Sequence, residues 1–205
     1  MPSWNIHLEV GERINQKLKF KGQKKEEFLL GCILPDINNG YINKVRIRKE
    51  HDETHWAFNQ KSSLNFYAKY QKEIEKKEPV FLGYLVHLYT DGFFNYDFYR
   101  KAKHSKISEL SHMEQRNIKH DDFWKYDLNF EDLEFRMSDK KAAVRAANKI
   151  EGVDVDEAEI AEVEEILKDK DMNNESRKRK YQFYTKAELD EVMDEMIKSF
   201  TGDYL

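Results

Sequence analysis

The run Phe81-Leu-Gly-Tyr-Leu-Val-His87-Leu-Tyr-Thr-Asp91-Gly-Phe-Phe-Asn95 is the most apolar segment of an otherwise polar chain. From Val80 to Leu88 it is apolar all round, so a helix formed here must run through the middle of a bundle. Yet it carries His87 and Asp91, which at four-residue spacing share one helical face. Gly83 precedes His87 by one turn and Asn95 follows Asp91 by one turn. The stripe therefore sets a small residue, which permits close approach, beside three polar groups. A buried imidazole and carboxylate both need partners, because an unpaired buried charge is costly. They can satisfy one another across a helical turn, or they can share a cation.

The rest of the pattern is helical too, with only eight Gly and three Pro to punctuate it. Ser3 is a candidate cap for a first helix in which Ile6, His7, Val10, Ile14 and Leu18 recur at helical spacing. A basic turn, residues 19–25, leads to a second helix over 26–34 that buries Phe28, Leu29, Ile33 and Leu34. Pro35 disfavours helix at Leu34 and places Asp36 at a helix exit. Residues 37–50 read as a loop with turn chemistry at Asn38-Asn39-Gly40. The spacing predicts a long amphipathic helix over 54–77, burying Ala57, Phe58, Leu64, Tyr67 and Ile74, and then a helix over 79–95 opened by Pro79. Residues 96–137 give weaker helical signals. From 138 the chain turns rich in Ala, Glu, Lys and Asp, with a solvated helix over 156–168 and a polar linker over 173–180. Thr185-Lys-Ala-Glu188 is a capping box for a last helix reaching Phe200. The expected architecture is all-α, a multi-helix bundle around a central buried helix. Residues 1–137 form the metal-binding core and 138–205 a charged helical extension packed on or tethered to it.

Composition removes several classes of function. A chain of 205 residues is long enough to bury a core, and 13% aromatic content argues against general disorder. The net charge of -4, with both signs interspersed, gives no nucleic-acid-coating surface. The single cysteine, Cys32, excludes an internal disulfide framework and reads as a small packed hydrophobe. The start, Met-Pro-Ser-Trp-Asn-Ile-His, lacks the basic region and apolar run of a secretory signal. No apolar stretch reaches the roughly 18 residues of a membrane span. A cytoplasmic protein without stable membrane insertion is expected, its oligomeric state open.

Other residues join His87 and Asp91 as candidates. His7 lies on the apolar face of the first helix, where the plain alternative is a satisfied core histidine. Asp36 is a ligand or a turn-former. His51-Asp-Glu-Thr-His55 sets two histidines four apart at a helix start. It misses the zinc-protease pattern His-Glu-x-x-His because Asp52 holds the glutamate position. Asp52 or Thr54 can equally cap a polar helix start there.

Taken in order, Asn5-Ile-His7-Leu-Glu-Val-Gly-Glu-Arg-Ile, Pro35-Asp36, Thr54-His55-Trp56 and Phe81-Leu-Gly-Tyr-Leu-Val-His87-Leu-Tyr-Thr-Asp91 resemble the zinc-dependent phospholipase C family over about residues 3–125. Single-strand nucleases share its fold. The resemblance implies a helical domain that hydrolyses phosphate esters with a zinc cluster. It implies one site from Asp36, His55, His87 and Asp91, with Asp91 bridging to a second metal held by His7. It also makes Asp36 the general base for the attacking water, and His51 the fallback for His55. Paired divalent cations suit this chemistry by acidifying bound water and neutralising phosphoryl charge. The secreted members begin with a tryptophan whose amine binds zinc, whereas Trp4 lies three residues inside this chain. Asp97 stands near a further ligand position of the family. No histidine from 104 to 120 has an acid four residues on, and His120-Asp-Asp122 is a substitute in another geometry. One or two zinc ions, or another divalent metal, are therefore expected.

These observations favour a metal-dependent hydrolase of phosphoric esters. Nucleic acid is a less favoured substrate, with a single strand still open. The alternatives are an HD-type phosphohydrolase built on His51-Asp52 or His120-Asp121, and a non-catalytic metal-binding helical protein with an interaction role.

Overall fold

An apolar segment with no face for water needs neighbours on every side, and the chain supplies them with helices alone. The computed structural model describes residues 2–37, 51–56, 61–169 and 178–205. Its α-helices are α1 (Trp4–Leu18), α2 (Gln23–Gly31), α3 (Leu34–Ile37), α4 (His51–Thr54), α5 (Ser62–Glu75), α6 (Pro79–Ala102), α7 (His112–Asp127), α8 (Lys140–Ala147), α9 (Glu157–Lys168) and α10 (Lys186–Tyr204). Short 3-10 turns at Lys106–Glu109 and Leu128–Phe130 flank α7. No strand occurs among the described residues. The fold is all-α.

Helix α6 is the axis, in contact with α1, α2, α3, α5 and α10. Pro79 occupies its first turn, where a missing N–H costs nothing. It runs past the expected end at 95 to Ala102, because Phe94, Phe98 and Ala102 extend its buried face and Arg100 and Lys101 suit the negative end of the helix dipole. Leu82, Tyr84, Leu85 and Val86 are fully buried. Each such side chain contributes about 1.5–3 kcal/mol by leaving water.

The crossing of α2 and α6 is backbone on backbone. A Cβ placed on Gly83 would overlap the carbonyl oxygen of Phe28 and stand 3.0 Å from the Gly31 Cα. One placed on Gly31 would overlap the carbonyl of Val80. This contact brings the end of α2, and with it Cys32 and α3, against the turn of α6 that carries His87.

Other elements depart from the spacing. Pro35 does not end the second helix; α2 stops at Gly31, and Pro35 sits at the start of α3, so Asp36 lies inside a helical turn. The helix expected over 54–77 is described only as α5, which opens at Ser62, while Thr54 closes the separate α4. Trp56 adopts a left-handed conformation (φ 51°), packed edge-on against Phe66 and Tyr70, in the turn that follows the end of α4 at Thr54. Leu64, expected inside, is 55% exposed, while Ile74 is buried. Ala57 and Phe58 lie outside the described residues, as do most of the loop at 37–50 and of the linker at 173–180. Ser3 does not cap α1 with its side chain; its hydroxyl donates to Asp127, which also accepts from Asn5 Nδ2 at 2.9 Å. That carboxylate at the positive end of α1 ties the helix carrying His7 to α7.

Residues on both sides of position 137 share one buried cluster, from Ile6 and Phe28 through Met137, Ile160, Val163, Met193 and Phe200. The 156–168 helix, expected to be solvated, turns Ile160 and Val163 inward. The Asp122 carboxylate accepts from the backbone N–H groups of Gln182 (2.7 Å), Phe183 (3.0 Å) and Tyr184 (2.8 Å), which pins the entry to α10. The Thr185–Glu188 capping box is formed, and α10 continues to Tyr204.

Gly83→Ala is expected to lower stability by about 1–3 kcal/mol through overpacking. Gly92→Ala, on the same helix with nothing within 4 Å of an added Cβ, should be neutral or stabilising by roughly 0.5–1 kcal/mol. Thermal unfolding separates the two, and equal losses would contradict the crossing described.

Candidate metal centre

The functional side chains come from four places and meet in one. His7 projects from α1, Asp36 from α3, His55 from the turn after α4, and His87 and Asp91 from α6. All five are buried, with His7 and His87 at 0%, Asp36 at 1%, His55 at 3% and Asp91 at 6% exposure. Asp91 is the hub: Oδ1 lies 3.4 Å from His7 Nε2, and Oδ2 lies 3.4 Å from His55 Nε2 and 3.7 Å from His87 Nε2. Asp36 faces it across the site, 3.4 Å from His55 Nε2 and 4.0 Å from His87 Nε2. Two overlapping sets, His7/Asp36/His87 and His55/His87/Asp91, each bring three donor atoms within 4.8 Å of one another.

The rings are oriented from behind. His87 Nδ1 lies 2.8 Å from the carbonyl oxygen of Cys32, so Nδ1–H donates there and the lone pair is left on Nε2, aimed into the cluster. This bond exists because the glycine crossing holds Cys32 against α6. The Thr54 hydroxyl lies 2.9 Å from His55 Nδ1, and the Tyr84 hydroxyl donates to the Thr54 carbonyl, anchoring that turn to α6. His7 stacks on His87, with centroids 3.9 Å apart and planes 10° from parallel.

The protonation states suit a cation. Burial, reinforced by the positive charge available to His7, pushes His87 down to about 3, so its imidazole is neutral at physiological pH. Burial works against ionising Asp91, yet His7, His87 and His55 together hold its carboxyl well below the usual range. Burial likewise opposes ionisation of Asp36, while His87 and His55 hold that carboxyl down. Among the described residues, neither ring nitrogen of His7 and neither oxygen of Asp91 has a hydrogen-bond partner. The Nε2 atoms of His55 and His87 face one another at 3.2 Å, a spacing that two lone pairs tolerate only across a shared proton or cation. Buried polar atoms are nearly always hydrogen-bonded, so this concentration of unmatched donors and acceptors fits a divalent metal. Carboxylate oxygen with imidazole nitrogen is a suitable set for zinc.

Other sequence-derived candidates stand elsewhere. His51 heads α4, but its side chain lies outside the described residues. The Asp97 carboxylate is engaged by Arg100 (2.5 Å), Lys101 (3.1 Å) and the Tyr184 hydroxyl (2.8 Å), away from the cluster. Its place on α6 follows from spacing, since position 97 falls off the 87–91–95 stripe. His120 sets its ring edge-on to Trp124, centroids 5.8 Å apart, and lines a surface cleft with Arg116 and Arg179. Asp121 is paired with Arg179 and Gln182, and Asp122 is spent on backbone amides. Neither Asp97 nor His120 joins either donor set. The Cys32 carbonyl was invisible to sequence reading, because a backbone acceptor carries no residue signature.

Fold and centre together define an all-helical protein with a buried carboxylate–imidazole cluster fit for divalent cations. A family model described as zinc dependent phospholipase C matches residues 6–204, and the chain belongs to that family. No curated protein and no solved structure matches it.

If the five convergent residues are the ligands, Asp91→Asn should sharply reduce zinc uptake in equilibrium dialysis. Asp97→Asn should leave uptake unchanged and cost roughly 1–3 kcal/mol of stability through lost charged hydrogen bonds. Equal losses of zinc in both variants would contradict the assignment.

Proposed function

We propose that the protein is a metal-dependent hydrolase of phosphoric esters, with His7, Asp36, His55, His87 and Asp91 holding one or two zinc ions or another divalent metal. The observation that carries this reading is the buried convergence of three imidazoles and two carboxylates, with the ring nitrogens of His7 and the oxygens of Asp91 unmatched by hydrogen bonds among the described residues, in a chain of this family. Bound zinc would supply Lewis acidity, making coordinated water acidic and offsetting negative charge on phosphoryl oxygens.

The chain's own residues do the rest. Asp36, ionised and 1% exposed, is the candidate general base that takes a proton from the attacking water. Asp91 reaches His7 through one oxygen and His55 and His87 through the other, which is the arrangement of a bridging carboxylate. The Cys32 carbonyl and the Thr54 hydroxyl fix the rings of His87 and His55 and so limit reorganisation during turnover. A phosphodiester or phosphomonoester is the substrate class. No described helix is long and apolar enough to cross a membrane, so any lipid substrate would be met without insertion of such a helix. A buried, unpaired Cys32 fits a reducing compartment, and we place the protein in the cytoplasm.

The test is a panel of p-nitrophenyl phosphate, bis(p-nitrophenyl) phosphate, phosphatidylcholine vesicles and a single-stranded oligonucleotide. Hydrolysis of at least one should vanish on chelation and return with zinc. Asp36→Asn should lower kcat by about 10²–10⁴-fold, the usual worth of a general base. Turnover indifferent to chelation, or none by metal-loaded protein, contradicts the proposal.

A further inference from the structure

Beyond the five convergent residues, the polar stripe of α6 continues to Asn95 and Tyr99, each one turn further from Asp91. A lysine from another helix meets it there. Lys119 of α7 is only 5% exposed, its Nζ 2.6 Å from Asn95 Oδ1 and 4.9 Å from the centre of the Tyr99 ring. The Phe98 ring lies 6.0 Å away on another side.

An ammonium has three protons to place, and Asn95 accepts one. Aromatic faces stabilise the charge only modestly. Among the described residues no carboxylate forms an ion pair with Lys119, although lysine is almost never this buried without one. Burial pulls its pKa down to about 8, while the Asp91 carboxylate works the other way. The ammonium is therefore still charged at neutral pH and lies within the electrostatic reach of the centre. Asn95, whose Cα is about 6 Å along α6 from that of Asp91, sets the scale of the separation. What this cation lacks, among the described residues, is a paired anion, and the Asp91 carboxylate of the centre already acts on its charge.

We propose that Lys119, positioned by Asn95 and Tyr99, is a substrate-binding residue that donates to a non-bridging phosphoryl oxygen of the ester held at the metal centre. This rests on the phosphoric-ester reading above and extends it by naming the protein group that takes charge the metal leaves uncovered. A lysine ammonium acts as a point charge on a flexible stem, which suits phosphates of differing substituents.

The experiment is calorimetric titration of inorganic phosphate into zinc-loaded wild type, Lys119→Met and Lys119→Arg, with zinc content and thermal unfolding measured on each. Lys119→Met should keep its zinc and its unfolding temperature yet bind phosphate at least tenfold more weakly. Lys119→Arg should recover most of that affinity. Should the methionine variant not fold, Lys119→Gln, which keeps a donor for Asn95, takes its place with the same expectation. Unchanged phosphate affinity in a zinc-replete neutral variant overturns the role of Lys119 and leaves the metal centre standing. Wild type that takes up no zinc overturns both.

Discussion

The direct backbone contact between α2 and α6 at Gly31 and Gly83 is the constraint on which the candidate centre rests. Two helices this close leave no room for a Cβ at either position. They also bring the carbonyl of Cys32, just beyond α2, to within 2.8 Å of His87 Nδ1. That hydrogen bond fixes the tautomer and rotation of the ring, and the four residues after Cys32 carry the chain round to Asp36. Widening the crossing by one methyl group would displace a ring, its partner and a facing carboxylate together. A packing requirement at one pair of glycines thus becomes a requirement on the geometry of the centre.

Electrostatics gives the same region its second constraint. Two ionised carboxylates and three imidazoles lie at 0–6% exposure, with the oxygens of Asp91 and the nitrogens of His7 unmatched by hydrogen bonds among the described residues. Such a group of charges is expensive to bury unless something shares it. Membership of the zinc-dependent phospholipase C family supplies an independent reason to see a divalent cation in that role. Elsewhere the buried acids are accounted for within the protein. Asp122 accepts three backbone amides, Asp127 caps α1, and Asp97 is held by two cations and a phenol.

Much of this was legible in the amino-acid order. The run around His87 has no polar face, and a helix of that kind has to be central; Gly83 one turn earlier announced the close approach. The order of His7, Asp36, His55, His87 and Asp91 carried the family resemblance, and the family match now covers 6–204, beyond the stretch in which motifs were visible. What was hidden depended on tertiary context. The turn after Thr54 includes a left-handed Trp56 held by ring packing, which periodicity cannot register. Leu64 had the spacing of a core residue but sits on the outer side of α5. The burial of Lys119 has no sequence signature, since nothing local separates a buried lysine from a solvated one. Asp97 was placed by analogy with a family ligand, whereas its helical phase turns it toward Arg100 and Tyr184.

The most direct test of the central claim is a crystal of protein grown with zinc, measured at the zinc absorption edge. The account predicts an anomalous peak bounded by Asp36, His55, His87 and Asp91, with bonds of about 2.0–2.2 Å to nitrogen and oxygen. His7 would lie at the same peak or at a second one bridged by Asp91. An ordered cluster with no anomalous density, its five side chains satisfied by protons and water, would contradict it.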